Sequence, residues 1–420
     1  MSQNDLPRRA AAAAAGEKHF RKLIRMVALS YFSVLAIQCV HQYITCLQAV
    51  PTEDRIFDGL QQRATLTYYV LWFAIAALAF AASLFRRTTW LSSYLCLLLF
   101  AETVAYIYYI PTHRHLYHPP VLALYSRYDP HPFVIAWPHP GVYGAVTHDE
   151  NHRRTTINQG KVAHPNLIYV FGGSTTYDFG NADTATWPTQ LSRLLGPGFA
   201  VENYGVPGFS SVENMTQSLF AFRDIAPVCA VYYEGWNDVQ LSHVQDLADD
   251  YSNQEYPALV DLLALGPHQG FLQRNSVLVA FIMSIFATPR QQIAGAGDWH
   301  EQDLRLSELY RDNIRLIAAI GKNFGVRVIF IPQIVNYARF TDDDRPSGVP
   351  YIWPKDMKKL LGLMDEDLAS AAGQSQAYFL AAPLAEKWED GDFLDHGHFS
   401  RRGSMKFAKS IADDLLKICR

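Results

Sequence analysis

Three apolar stretches precede residue 111 of this 420-residue chain, roughly Met26 to Cys46, Leu66 to Phe85 and Trp90 to Ile110. Each is close to the ~20 residues that carry a helix across a bilayer, and the second contains no charged side chain. A buried helical hairpin in a soluble protein fits poorly with three such segments crowded into the first quarter on short connections. The first stretch carries Gln38, His41 and Gln42, and the third carries Glu102, which is costly in lipid unless it faces a partner helix or water.

The flanking charges orient these spans. Arg8, Arg9, Lys18, Arg21, Lys22 and Arg25 precede the first, and Arg86 and Arg87 lie between the second and third. The loop between the first two carries Glu53, Asp54 and Asp58 against Arg55 and Arg63. An excess of basic residues marks the cytoplasmic side, so residues 1–25 are expected as a cytoplasmic tail, 26–110 as the membrane region, and everything after Ile110 outside. A cleaved signal peptide is not expected, because the first run is long and further spans follow. The net charge of −4 gives no basic footprint for nucleic acid.

Of five cysteines, Cys39, Cys46 and Cys96 lie in or at the ends of the spans. Cys229 and Cys419 are free to pair in an oxidising compartment, although nothing in the sequence requires it. From 111 to 165 the chain is rich in Pro, His, Tyr and Arg and reads as a connector. His113, His115 and His118 invite a metal reading, but they lack an accompanying carboxylate pattern and fit a polar, aromatic surface better. No metal or other cofactor is expected. Asn214-Met215-Thr216 matches a glycosylation acceptor.

After residue 165, strand-like runs at 167–171, 200–203, 228–233, 326–331 and 377–380 alternate with helical stretches at 185–195, 212–222 and 306–324. That alternation predicts a parallel sheet with helices on both faces, in which reactive groups gather at the C-terminal strand ends. Ser174 follows the first strand in Gly172-Gly173-Ser174, and Asn203 to Gly208 closes the second. Glu234-Gly235-Trp236-Asn237-Asp238 closes the third, and Asp395-His396-Gly397-His398 precedes the last helix. Alone, each fits ordinary turn chemistry or a helix entry, with Ser400 as N-cap. In order at successive strand ends, they supply the parts that acyl transfer needs.

With these four blocks the chain resembles the SGNH or GDSL hydrolase family over residues 160–420, and Trp187-Pro188 is similar to the Trp-Pro that opens the helix after the family's nucleophile. The resemblance implies a flavodoxin-like three-layer α/β/α fold with a parallel sheet, here at 166–420 and preceded by three transmembrane helices. It also implies a catalytic triad of Ser174, His398 and Asp395, with His396 turned elsewhere, and an oxyanion hole of the Ser174 and Gly208 backbone N–H groups and the Asn237 side chain. Glu234 and Asp238 are expected as structural or rim residues. Two features depart from the family pattern. Gly173 stands where the family has Asp, and an insertion at about 239–300 is expected to form a lid or acceptor-binding piece.

Three functions compete. An outward-facing esterase would remove acetyl or another small acyl group from a glycan or lipid through an acyl-enzyme. An O-acyltransferase would pass that group to a polysaccharide hydroxyl, with a separate membrane acyltransferase as partner to supply the donor. A non-catalytic glycan-binding or assembly module would keep only the fold, and Gly173 is its sole support.

Overall fold

The computed structural model describes residues 5–48, 56–112, 127–134, 136–159, 165–251, 271–286, 299–340 and 352–420. His113, His115 and His118 lie outside the described residues. The chain divides into two units: one of residues 1–50, 58–125 and 268–288, the other of 51–57, 126–267 and 289–420.

The first unit contains three helices long and apolar enough to cross a membrane: α1 (Asp5–Gln48), α2 (Ile56–Ser83) and α3 (Thr89–Thr112). Glu102 of α3 does face a partner. Its carboxylate accepts hydrogen bonds from the Tyr68 hydroxyl (2.9 Å), the Ser276 hydroxyl (2.7 Å) and the backbone N–H groups of Val277 (2.7 Å) and Leu278 (3.0 Å). Trp72 adds a bond to the Asn275 carbonyl. Four donors, two of them orphan amides of a helix start, offset the cost of burying this charge. The helix they hold (Val277–Phe286) comes from the stretch expected as a lid. Residues 268–288 pack within the membrane unit instead, because their run of Val, Leu, Ile and Phe needs apolar neighbours.

The second unit is an α/β/α sandwich. Its parallel sheet comprises β1 (Asn166–Gly172), β2 (Phe199–Asn203), β3 (Cys229–Glu234), β4 (Arg327–Pro332) and β5 (Tyr378–Phe379), in the order β2-β1-β3-β4-β5. This is the flavodoxin-like order, and the expected fold class holds. Side-chain alternation makes two cores. Ile168, Val170, Val231 and Ile329 pack one face under Trp187, Leu191, Phe407 and Ile411. Tyr169, Phe171, Tyr232 and Phe330 pack the other under Phe222, Ile314 and Leu361. The covering helices are α4 (Trp187–Leu195) and α8 (Arg401–Ile418) on the first face, and α5 (Ser211–Asp224), α6 (Leu304–Phe324) and α7 (Met357–Gln374) on the second.

Two parts of this unit differ from the sequence reading. Residues 127–159, expected as connector, form two short hairpins, and Arg154 bridges to Asn203 at the β2 edge. Leu241, Val244, Leu247 and Tyr251, from the start of the expected insertion, are buried in the second core. Cys229 and Cys419 form a disulfide that joins the start of β3 to the C-terminus.

Candidate active site

The chain leaves β1 through a turn in which glycine is required twice. Gly172 has φ +151°, and a Cβ there would lie 2.1 Å from the Thr176 hydroxyl and 2.7 Å from the Tyr233 carbonyl. A Cβ on Gly173 would lie 2.2 Å from Nδ2 of Asn237. Ser174 then opens a single helical turn, Ser174–Tyr177. The departure at Gly173 has a steric cause: Asn237 occupies the space that a side chain would need.

The last block approaches the same point. A bridge between Phe393 and Phe399 closes a small loop whose two aromatic ends are buried, and Ser400 caps α8 through the Gly403 N–H. Within this loop His398 Nδ1 lies 2.6 Å from the Asp395 carboxylate, while Nε2 lies 2.8 Å from Ser174 Oγ. Asp395 also accepts the Gly397 and His398 backbone N–H groups at 2.9 and 2.8 Å. Partial burial pushes its pKa up, but the hydrogen bond and charge of His398, aided by those amides, hold the carboxyl well below the usual carboxylate range. His396 instead sets Nε2 against the Arg339 carbonyl at 3.0 Å. The expected triad residues are therefore brought together, and the rival histidine is not among them.

The second and third blocks complete the turn. Gly205 fits only without a side chain, since a Cβ would lie 2.3 Å from the Tyr177 backbone nitrogen. Asn203 holds the segment by donating to the Thr176 carbonyl and accepting the Gly205 N–H. Gly208 follows at φ +90°. The backbone N–H groups of Ser174 and Gly208 have no acceptor among the described residues. Asn237 donates one Nδ2 hydrogen to the Phe209 carbonyl at 2.7 Å, which leaves the second hydrogen of that amide.

Glu234 and Asp238, expected as structural or rim residues, are not at the rim: both are fully enclosed. Asp238 accepts the Ser211 N–H and hydroxyl. Burial first, with the charge of Glu213 adding to it, pushes its pKa up to about 7. Burial and then the charge of Asp238 push Glu234 up as well. Asn214 is also fully buried, so its glycosylation-type triplet is closed to a glycan in the folded protein.

Several supporting residues carried no sequence signal. Arg154, itself buried, donates to the carbonyls of Tyr177, Asp178 and Asn181 and pairs with Asp183. It thereby supplies donors to carbonyls left open after the nucleophile turn. Gln333, at the end of β4, accepts the Thr175 hydroxyl at 3.2 Å and donates to the Tyr233 hydroxyl at 3.0 Å. Asp178, left-handed at φ +60°, accepts the Trp187 N–H, the Asn181 amide and the Ser404 hydroxyl. Burial lifts it to about 6 against those bonds. Among the described residues, no group of three or more His, Cys, Asp or Glu side chains is arranged to hold a metal ion.

No family model matches this sequence, and no curated protein matches it. Solved structures do. The crystal structure of TesA matches at 12% identity and a TM-score of 0.36, over 60% of this chain and 99% of its own. A catalytic mutant of Axe2, an acetylxylan esterase from Geobacillus stearothermophilus, matches at 14% and 0.36, over 63% of this chain and 96% of its own. The lipase/acylhydrolase from Enterococcus faecalis matches at 16% and 0.36, over 60% and 96% respectively.

Proposed function

We propose that this protein is a membrane-anchored serine esterase of the SGNH type, acting outside the cytoplasm on small acyl esters of a glycan or lipid. The observation that carries the reading is the continuous contact from Asp395 through His398 to Ser174, set beside two unused backbone donors and the Asn237 amide.

The residues divide the chemistry as follows. Ser174 Oγ attacks the ester carbonyl while its proton passes to His398 Nε2, and the carbonyl electron pair moves onto oxygen. The N–H groups of Ser174 and Gly208 and the free Asn237 hydrogen meet that oxyanion. The tetrahedral adduct then expels the alcohol, whose oxygen takes the proton back from His398, leaving an acyl-enzyme on Ser174. A second oxygen nucleophile repeats these steps in reverse and releases the acyl group. Asp395 fixes the tautomer that points Nε2 at Ser174 and stabilises the imidazolium. Gly173, the feature that spoke for a non-catalytic module, is accounted for by Asn237.

The location reading is supported by the basic residues at one end of the long helices and by the Cys229–Cys419 disulfide, a bond that persists in oxidising compartments. If the second nucleophile is a sugar hydroxyl, the same site works as an O-acyltransferase and a partner acyltransferase supplies its donor.

The test uses the full-length protein in detergent with an activated acetyl ester. A mass increase on Ser174, followed by release to water or to added oligosaccharide, is the expected result and separates hydrolysis from transfer. An adduct that survives Ser174→Ala would remove this residue as nucleophile, and no adduct on the wild type would restore the binding module.

A further inference from the structure

We infer that the membrane unit binds one glycerolipid, with an acyl chain in a cavity between the long helices and an ester oxygen on the Gln38 amide. This rests on the membrane-anchored reading of α1–α3, and not on the chemistry of Ser174. The cavity measures about 260 Å³ and takes walls from all three helices, including Leu35 and Gln38 of α1, Tyr69 and Trp72 of α2, and Leu99 and Thr103 of α3. That size is near the lower end, about 300 Å³, of ligand pockets. It suits part of one hydrocarbon chain and not a solvated polar head.

The polar groups on the wall are mostly committed elsewhere. Glu102 is saturated by Tyr68 and by the start of the Val277–Phe286 helix, Trp72 donates to Asn275, and Thr103 donates to Leu99. Gln38 differs, because its amide has no hydrogen-bond partner among the described residues. An amide placed in hydrocarbon without a partner is costly. Gln38 follows Arg25, the last basic residue before the span, by 13 residues, which is about 20 Å of helix in a core about 30 Å thick. It therefore lies past the midplane, in the half away from the basic flank. Glycerolipids are the molecules at hand there that join a hydrocarbon chain to a hydrogen-bond acceptor.

The test places the full-length protein in phosphatidylcholine nanodiscs doped with a phosphatidylcholine that carries a diazirine on one acyl chain. After irradiation, adducts mapped by fragmentation should concentrate on Leu35, Gln38, Leu99 and Thr103, above the lipid-facing Leu97, Phe100 and Val40. Gln38→Leu should reduce the cavity adducts by about five-fold, the worth of one hydrogen bond, and Leu35→Trp should remove them by filling the space. Adducts spread evenly over cavity and lipid-facing positions, unchanged in Gln38→Leu, would mean annular lipid only and overturn the site. Gln38→Leu alone decides the matter if Leu35→Trp does not incorporate. Release of the protein from membranes by an alkaline wash would instead sink the membrane reading, so the two failures are distinct.

Discussion

Asp395 and Asp238 lie close in the chain to groups of the proposed site, three residues before His398 and one after Asn237, yet their surroundings treat them oppositely. Asp395 has a half-exposed side chain and is held ionised by His398 and two amides, against partial burial. Asp238 is fully enclosed, and burial with nearby negative charge pushes it up to about 7. At the rim, a lasting negative charge orients an imidazole. Beneath the oxyanion turn, a carboxyl that keeps its proton ties Ser211 to the Asn237 segment without leaving a buried charge.

Asp395→Asn breaks the rim side of this contrast and has the largest expected effect. Asparagine can hold the same position, but it offers His398 a different hydrogen-bond pattern and no charge. Turnover should fall by about 10⁴-fold with the folded structure retained. Single-turnover acylation of Ser174 is the measurement, and a loss of only a few-fold would show that Asp395 is not the residue that orients the base.

Gly173→Ala tests the point where rim and interior meet. The added methyl must displace Asn237 Nδ2, which would otherwise lie 2.2 Å away and is held by the Phe209 carbonyl. Turnover should drop by about 10²-fold, as for loss of an oxyanion donor, while the melting temperature moves far less. Gly173→Asp, which brings in the family's usual residue, should be no better. Full activity in either variant would remove Asn237 from the proposed oxyanion hole.

The sequence disclosed what depends on local pattern. The strands announced themselves as short apolar runs between helical stretches, and Ser174, Gly208, Asn237, Asp395 and His398 stood in order at their ends. What stayed hidden depends on distant partners. Glu102 could be seen as costly, but the helix start that satisfies it lies 174 residues on, inside a segment that looked like a lid. Arg154 sits in a stretch without periodicity, and its value comes from carbonyls after the nucleophile turn. Asn214 shows the converse: its triplet is a local pattern that burial overrules.

Asp365→Asn sharpens the interior side and carries the smallest expected effect. Asp365, on α7, accepts the Gln333 N–H, and its Oδ1 is enclosed without a partner. Burial pushes it up to about 8 and the Gln333 N–H lowers it only in part. In the unfolded chain the group titrates near 3.9, so between about 4 and 8 the folded state binds the extra proton. Its contribution to stability is therefore greatest below about 4, declines as pH rises through about 8, and is level above. Asparagine keeps an accepting oxygen for Gln333 and has no proton to lose. Relative to wild type, the variant should gain at least about 1 kcal/mol, or about 2–4 °C in melting temperature, on moving from pH 5 to pH 9. Asp395 has the opposite sign, because its lowered pKa stabilises the fold above the unfolded value and that support is lost only in acid. Melting curves for Asp365→Asn and wild type that run parallel from pH 5 to pH 9 would show that Asp365 is ionised in the folded protein, and the division between charged rim and proton-holding interior would fail at the residue that supports Gln333.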